Sequence, residues 1–468
     1  MEEATKTTDT KQPRGPGSFC IPRAALNALL DNQATAYEVC AYLVLARFTD
    51  ESGRYSAASI KAVNTATGAN KTKGGPVDKA LERLKTIRAK SVKKVSNGRS
   101  GKSHAWVEQV TDLGPILFDR DGWHQATGEI LPDYGPNAIK TIRYVLHDFD
   151  EPPEDRVWFG NNLVSGISTF TQPLKALKNA GDVAARLLLA LHEVNDMETW
   201  GGVRPVGDSH GPWVHYEPVD ADTRFTVGTR LHRAKDEGPV ATQGLFSRVY
   251  PTPEKSDAWW AAHDKAGGPV WRALEALQSA GLVYEVVMVL NRNAIKKKFS
   301  SGTEYSDIPE DAEPFYELDC RSRHGYKPDG EEGVGWATAK TAGDFGKPVT
   351  KEGGIFDGTY AAFVPVGYGC MIAGIYRLRF RVSNPKNAGV KGAWAGIHQR
   401  NRDALDLVNS IRKASKWEPL LVSPKEKTKV DPPKEATMAD LAQQELQAIR
   451  AAHHAREQAK KTFPDDFF

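Results

Sequence analysis

The sequence lacks the cysteine pairs that build metal sites and disulfide frameworks. Its four cysteines form no C-x-x-C pair and lie far apart, at Cys20, Cys40, Cys320 and Cys370. This spacing argues against a zinc ribbon and against a disulfide-stapled scaffold. We expect most of the cysteines to pack as small apolar side chains, and we predict no metal ion or other cofactor.

Long hydrophobic runs are also missing. No apolar stretch approaches the roughly 20 residues that a membrane-spanning helix needs, and the start, Met1-Glu2-Glu3, lacks the basic residues of a secretory signal. With 40% apolar and 26% charged residues, the composition is that of a globular protein. We expect a cytoplasmic protein with no membrane partner. Its 468 residues predict two or three cores plus tails.

Signatures of catalysis are absent as well, including H-E-x-x-H, G-x-S-x-G and the phosphate-binding P-loop. The nearest match is the segment Gly98-Arg99-Ser100-Gly101-Lys102-Ser103. A P-loop would need glycine at position 96, where this chain has Ser96, and it would join a strand to a helix. We therefore predict no catalytic residues and no enzymatic activity.

Positive charge is what the sequence does have, and it is concentrated in one stretch. Between Lys71 and Lys102 there are eleven Lys or Arg residues against two acids, a balance of 11 − 2 = +9, whereas the whole chain carries only +3. Such concentration is typical of a surface that binds a polyanion. A solvated basic surface on a helical domain is the alternative interpretation.

This basic stretch has the pattern of a helix followed by a hairpin. Helical spacing places Val77, Leu81, Leu84 and Ile87 on one apolar stripe, and it places Lys79 and Arg83 together on the opposite face. Residues 92–95 and 105–107 are predicted strands, and the Asn-Gly turn between them favours a hairpin.

Two further helices are predicted before the basic stretch. Thr35 and Glu38 form a capping-box pattern, which starts an apolar and largely buried helix. A short strand near Tyr55 and a second helix, ended by Gly68, follow.

The order helix, short strand, helix, turn, helix and hairpin resembles the winged helix-turn-helix family. The resemblance covers residues 35–110 and includes Ile60, Ala66-Thr67-Gly68 and Ala80-Leu81-x-x-Leu84. In that family the third helix enters the major groove and the hairpin contacts the backbone or minor groove. The resemblance therefore implies DNA contacts by Lys71, Lys73, Lys79, Arg83, Lys93, Lys94, Arg99 and Lys102. Arg83→Ala is expected to reduce sequence discrimination, and Lys94→Ala to weaken all sequences alike. The long turn 71–76 departs from the family pattern.

A second copy of this unit is predicted further along the chain. The pattern Gly-Gly-Pro-Val-x-x-Ala-Leu-Glu-x-Leu at 74–84 recurs at 267–277, and the apolar helix at 39–46 has a counterpart at 183–190. We interpret this as a tandem duplication, with chance similarity of amphipathic helices as the alternative. Arg272 matches Lys79, but Ala276 and Gln278 replace the other cations. With its apolar strand 283–289, the second unit suits packing or a homodimer interface.

Three arginines alternate with apolar residues near the end of the folded part. If Tyr376 to Val382 is a strand, it buries one face and exposes Arg377, Arg379 and Arg381 in a row. Such a row suits phosphate contacts, and an ordinary solvated face is the equal alternative.

The last six residues combine acids with aromatics and are similar to the acidic-aromatic tip of bacterial single-strand DNA-binding proteins. That resemblance implies docking of a replication or repair protein by Phe463, Asp465, Asp466, Phe467 and Phe468. A frayed terminus is the alternative.

The predicted fold is α+β, with two tandem winged-helix domains carrying short β-hairpin wings, a β-rich C-terminal region and a disordered and helical tail. The predicted boundaries are a disordered arm (1–18), winged-helix domain 1 (19–112), a linker (113–157), winged-helix domain 2 (158–300, with an insertion at 200–265), a β-rich extension with a closing helix (301–418), and a linker, polar helix and tip (419–468).

The function predicted from these features is binding of double-stranded DNA. One basic and one apolar winged helix in a single chain resemble the architecture of plasmid replication initiators, in which one unit serves mainly dimerisation and the other DNA contact. A replication initiator-like protein of a plasmid or mobile element is the first hypothesis. A transcriptional regulator using the same winged helices and a protein-interaction scaffold are the alternatives.

Overall fold

The fold is α+β, with helices and antiparallel strands mixed along the chain. The computed structural model describes residues 17–70, 72–96, 106–129, 142–152, 155–167, 170–206, 211–218, 226–229, 231–233, 243–251, 268–298, 304–318, 362–364 and 370–380, together with helical positions 396–397, 399–400, 403, 410 and 413. No helix in these ranges is long and apolar enough to cross a bilayer. The predicted arm lies outside them except for residues 17 and 18, as does the tail from 419 onward.

The first half of the described chain contains five helices and six strands. In order they are β1 (Ser18–Ile21), α1 (Arg23–Asp31), α2 (Ala36–Arg47), β2 (Tyr55–Ser56), α3 (Ile60–Thr67), α4 (Pro76–Leu84), β3 (Arg88–Ser96), β4 (Trp106–Pro115), β5 (Leu117–Asp119), α5 (Arg120–Thr127) and β6 (Tyr144–Leu146).

The second half of the described chain adds the remaining elements. They are β7 (Val157–Gly160), α6 (Asn162–Ser165), α7 (Pro173–Ala180), α8 (Asp182–Glu193), β8 (Asn195–Asp196), β9 (Gly202–Val203), β10 (Trp213–Pro218), β11 (Thr226–Thr229), β12 (Leu231–Arg233), α9 (Gln243–Val249), α10 (Pro269–Ser279), β13 (Val283–Leu290), β14 (Ile295–Lys298), β15 (Glu304–Asp307), β16 (Pro314–Leu318), β17 (Ala362–Val364) and β18 (Met371–Leu378).

Local signals placed α2, α3 and α4 correctly, whereas α1 and α5 were not predicted. The predicted capping box at the start of α2 is confirmed, because Thr35 N donates to Glu38 Oε2 (2.9 Å) and Glu38 N donates to Thr35 Oγ1 (3.4 Å). Helix α3 ends at Gly68 in the left-handed region (φ +62°), which favours glycine. Helices α4 and α10 both begin with proline at the first helical position after a glycine.

The sheet structure of the first half differs from the prediction. The hairpin strands β3 and β4 are longer than predicted, and the segment 113–157, predicted as a linker, contributes β5, α5 and β6. Strand β6 lies between β2 and β5 and pairs with both. These short strands bury Leu117, Val145 and Leu146. Because β5 and β6 have only three residues each, the sequence shows no alternation of apolar and polar residues that could have predicted them. The segment therefore belongs structurally to the first half.

A five-stranded antiparallel sheet organises the second half. Its order is β12-β10-β18-β13-β16. Strands β10 and β12 come from the predicted insertion at 200–265, and β16 and β18 come from the predicted β-rich extension. Strand β13, which the sequence pattern assigned to the wing of the second unit, is therefore an inner strand, paired with both β18 and β16.

The predicted row of exposed arginines is wrong at Arg377. Every residue of β18 is buried, and the Arg377 guanidinium donates to both carboxylate oxygens of Glu317, at 3.1 and 2.9 Å. Alternation shows that a strand has two different faces, but it does not show that either face meets water. Arg379, just beyond the strand, places its guanidinium 4.9 Å from the centre of the Phe170 ring, and Arg381 lies outside the described residues.

The two halves share one apolar core and contact each other reciprocally. Helix α2 packs against α4, α8 packs against α10, and α2 packs against α8. Helix α1 contacts α9 and α8, while α7 contacts α3 and α2. Strands β1 and β7 pair antiparallel, from Ser18 opposite Gly160 to Ile21 opposite Val157. The two halves therefore form one packed body, and the duplication stays a prediction.

Acidic side chains satisfy amides at the starts of α1 and α2, and the one at α2 comes from the second half. The Asp182 carboxylate accepts a hydrogen bond from Ala36 N (2.7 Å), and the Glu151 carboxylate accepts from Arg23 N (2.6 Å) and Ala24 N (2.7 Å). Acids at these positions satisfy amides that a helix leaves unpaired. The buried Arg186 donates to the carbonyl oxygens of Ala34 and Val249, each at 2.9 Å.

The buried His192 makes the stability of the fold depend on pH. Its ring lies 4.3 Å from the Phe159 ring, and burial lowers its pKa from 6.5 to about 3. The end of a helix normally favours a protonated histidine, but full burial outweighs that effect here. Below pH 6.5 the unfolded chain binds a proton that the folded chain does not, so the free energy of unfolding falls with falling pH.

We expect the free energy of unfolding of the parent to fall by about 2 kcal/mol more than that of His192→Gln between pH 7 and pH 5. Urea unfolding of both proteins at the two pH values measures this difference. Because other groups titrate equally in both proteins, their contributions cancel. Equal losses in parent and variant would contradict the assignment to His192.

Candidate nucleic-acid interface

Helices α3 and α4 form a helix-turn-helix on the surface of α2. The predicted apolar stripe of α4 is confirmed, since Val77, Leu81, Leu84 and Ile87 are all buried. The connection, residues 68–75, is longer than a tight turn and is fixed in part by Asp78, whose carboxylate accepts from Gly74 N at 2.6 Å. The opposite face of α4 is left exposed, with Lys79, Glu82 and Arg83 on it.

Three of the eleven cations between Lys71 and Lys102 form ion pairs with acidic side chains. Arg83 pairs with Glu38 (3.1 Å), Lys85 with Glu82 (2.8 Å) and Asp119 (3.3 Å), and Arg88 with Asp112 (2.6 Å). Partial burial lowers the pKa of the Lys85 ammonium, but its two hydrogen-bonded acids raise it above the ordinary value overall. These three side chains therefore serve the fold as well as the surface charge.

Three other lysines remain available on the same structure. Lys73 in the connection, Lys79 on α4 and Lys90 on β3 are exposed and form no ion pair with any residue that the structure describes. We call these three residues the basic surface. Lys90 stands opposite Asp112 in the hairpin register, but that carboxylate accepts a hydrogen bond from Arg88, which lowers its pKa.

Arg83 is placed differently from the prediction. Its guanidinium does not project alone beside Lys79, because it donates to Glu38 Oε1 (3.1 Å) and to the carbonyl oxygen of Asn32 (3.0 Å). The Glu38 side chain is only 5% exposed, so Arg83 supplies the counter-charge of a nearly buried carboxylate. Lys79 is then the cation that α4 leaves for a ligand.

Replacing Arg83 with alanine is expected to lower the free energy of unfolding by about 1–2 kcal/mol. The loss stays below that of a fully buried pair because the Arg83 side chain is 45% exposed. Urea unfolding measures it, and Lys79→Ala on the same helix is the matched control, with an expected change within about 0.5 kcal/mol. Equal stability of the two variants would show that the Arg83–Glu38 pair contributes nothing.

The hairpin β3–β4 extends from α4 and has no third strand among the described residues. In its register Lys93 stands opposite Gln109, and Lys94 opposite Glu108. Nearer α4, Val92 and Val110 stand directly opposite each other and are 56% and 57% exposed. Lys71, Arg99 and Lys102, which were predicted to contact DNA, lie outside the described residues, and so does the C-terminal tip.

Helix α10, in the predicted second copy, offers a different surface. On α10, Arg272 is exposed as predicted for a contact, but Glu275 is exposed beside it. Ala276 is half-buried and Gln278 is buried. The exposed charges of α10 therefore balance, whereas the first half keeps the three unpaired lysines of the basic surface.

Sequence reasoning missed one member of the basic surface and all of the distant counter-charges. Lys90 alternates with the buried Ala89, so strand periodicity starting at Arg88 would have identified it. Glu38 lies 45 residues before Arg83, and nothing in the sequence couples the two. Among the described residues no group of three His, Cys, Asp or Glu side chains could hold a metal ion.

Comparison with known proteins identifies no relative. No protein-family model, curated protein or solved structure matches the chain. The function is therefore inferred from the geometry and charge of helices α3 and α4 and of the hairpin β3–β4.

Proposed function

We propose that this chain binds double-stranded DNA through its first half, with α4 in the major groove and the hairpin β3–β4 along the backbone. The observation that carries the proposal is the basic surface itself. Lys73, Lys79 and Lys90 remain exposed and form no ion pair among the described residues, whereas Arg83, Lys85 and Arg88 in the same helix and hairpin are paired with acids. Lysines without acidic partners can neutralise phosphates and release counterions.

The dimensions of α4 fit this role. An α-helix with its side chains is about 10–12 Å in diameter, close to the roughly 12 Å width of the major groove, and the nine residues of α4 give it about two and a half turns. In helix-turn-helix proteins the first residues of the second helix contact base edges. Lys79 lies in the first half of α4, so we assign it to the groove, and we assign Lys73 and Lys90 to phosphates on either side.

The predicted duplication supports an initiator-like role over a generic DNA binder. Two units in one chain, one basic and one with balanced charge, resemble the arrangement of plasmid replication initiators. We therefore propose a replication initiator-like protein of a plasmid or mobile element. A transcriptional regulator would use the same surface, and the two differ in whether the bound sites form repeated arrays at an origin or an operator at a promoter.

The homodimer interface expected on the second half gains no support from the residues that suggested it. Strand β13 is an inner strand of the five-stranded sheet, and α8 packs against α2 and α10 of its own chain. The apolar residues of both elements are buried within one chain. We accordingly propose that a single chain contacts DNA.

Binding of a fluorescein-labelled 30-base-pair duplex to the full chain tests the proposal. At 50 mM salt we expect saturable binding that weakens steeply at 200 mM salt, as for any complex held by phosphate contacts. A protein-interaction scaffold would give no binding at either concentration, and that result would overturn the proposal. Genome-wide footprinting then shows whether the bound sites form repeated arrays at an origin, as for a replication initiator, or an operator at a promoter, as for a transcriptional regulator.

A further inference from the structure

The hairpin β3–β4 carries an apolar pair that duplex DNA does not require. Val92 and Val110 face the solvent on the same side of the ribbon, because directly opposite residues of antiparallel strands share a face. Only three other large apolar side chains of the described residues are comparably exposed, at Phe48, Ile60 and Ile295. Hydrated phosphates gain nothing from two valines, so this pair points to a second ligand.

The surroundings of the pair define what that ligand must be. Lys90 lies two residues before Val92 and therefore on the same face of β3, exposed and without an ion pair among the described residues. Arg88, a further two residues back, is exposed as well. Asp112 stands opposite Lys90 and pairs with Arg88, so Lys90 is the cation without an ion pair beside the two valines. Such a surface is complementary to a short segment that combines apolar side chains with acids.

The chain itself contains such a segment. Residues 463–468 read Phe-Pro-Asp-Asp-Phe-Phe, with three aromatics, two acids and no cation. Forty-nine residues separate Lys413, the last described position, from Phe463, and a flexible linker of that length has an end-to-end distance of roughly 40 Å. Attachment in the same chain also gives an effective concentration on the order of 1 mM.

We propose that residues 463–468 dock on the face of the hairpin formed by Lys90, Val92 and Val110, and thereby compete with DNA for the basic surface. The competition rests on the proposed function, whereas the docking does not. Phenylalanines cover the valine pair, and the Asp465 and Asp466 carboxylates lie near Lys90. A tip that binds with a dissociation constant of roughly 0.1–0.2 mM lowers the apparent affinity for DNA about 5- to 10-fold at this effective concentration.

Docking is tested first without DNA. The full chain carrying Asp465→Asn, Asp466→Asn, Phe467→Ser and Phe468→Ser is titrated with a labelled peptide of residues 459–468, followed by fluorescence anisotropy. We expect saturable binding that weakens at least fivefold when Val92→Thr and Val110→Thr are added. The same peptide with both aspartates changed to asparagine should bind weakly, and Ile295→Thr, on the hairpin β14–β15, should leave binding unchanged. No binding, or equal binding with and without the two valines, would overturn the proposal.

Competition is tested by comparing DNA affinity with and without the tip substitutions. We expect the fourfold-substituted chain to bind the 30-base-pair duplex about 5- to 10-fold more tightly than the parent at 50 mM salt. Equal affinities would overturn the competition. If the peptide bound the hairpin but neither protein bound DNA, the proposed DNA-binding function would be overturned and the docking would be retained. If the proteins bound DNA but the peptide did not bind, the docking would be overturned and the proposed function would be retained.

Discussion

Replacing Arg377 with methionine is expected to lower the free energy of unfolding by about 3–5 kcal/mol, the largest effect of any single substitution considered. Arg377 is fully buried in β18 and donates to Glu317 and to the carbonyl oxygen of Gly201. Methionine fills similar space but leaves the Glu317 carboxylate, only 14% exposed, without its counter-charge. Urea unfolding monitored by circular dichroism measures the loss.

The double variant Arg377→Met with Glu317→Leu distinguishes an unpaired charge from poor packing. When both charges of the pair are removed, neither Arg377 nor Glu317 is left as a buried charge without the other, and we expect most of the lost stability to return. Glu317→Gln alone should also be destabilising, because it leaves the buried guanidinium unpaired. A single-variant loss below 1 kcal/mol, or no recovery in the double variant, would contradict the role given to this pair.

The second large effect concerns DNA. Changing Lys73, Lys79 and Lys90 together to glutamine is expected to weaken binding to a random 30-base-pair duplex by about 10²–10³-fold at 0.1 M salt. The phosphate contacts of Lys73 and Lys90 each account for close to one logarithmic unit relative to 1 M, and the lost contact of Lys79 in the groove adds to this. The three side chains are exposed and have no ion pairs among the described residues, so the fold should be retained. Circular dichroism and urea unfolding verify that retention.

A variant with the same loss of charge in the second half provides the control. Arg204→Gln, Arg292→Gln and Lys296→Gln remove three exposed cations and bring the chain from +3 to 0, as the first variant does. Arg292 pairs with Asp311 at the surface, and such exposed pairs contribute little to stability. We expect the control variant to lose less than threefold in affinity. Equal losses would mean that binding follows net charge and not the basic surface.

The elements that could be predicted are those defined by neighbouring residues. The capping box at Thr35 and Glu38, the left-handed Gly68 and the glycine-proline starts of α4 and α10 each depend on a few consecutive residues. The five-stranded sheet could not be predicted, because it joins strands between positions 213 and 378 that have no common period. Arg377 shows the same limit, since its alternation identified a strand but not a strand covered on both sides.

The sequence predicted where the positive charge of the candidate site is concentrated, but not which of its cations are ion-paired. The sequence located the basic helix and hairpin, yet it treated Arg83 as the equal of Lys79. The difference arises from Glu38, a capping residue of α2 whose second carboxylate oxygen is available for Arg83 only when α2 and α4 pack together. Which cations are available to a ligand is therefore a tertiary property, decided by acids from distant parts of the chain.

The salt dependence of duplex binding tests the central claim most directly. The slope of log affinity against log salt concentration counts neutralised phosphates, at about −0.9 for each. For the chain with Lys73→Gln, Lys79→Gln and Lys90→Gln, we predict a slope shallower than that of the parent by about 1.8, because Lys73 and Lys90 are the two assigned phosphate contacts. For the control variant in the second half we predict the parental slope. Identical slopes for the parent and the variant of the basic surface would contradict the account.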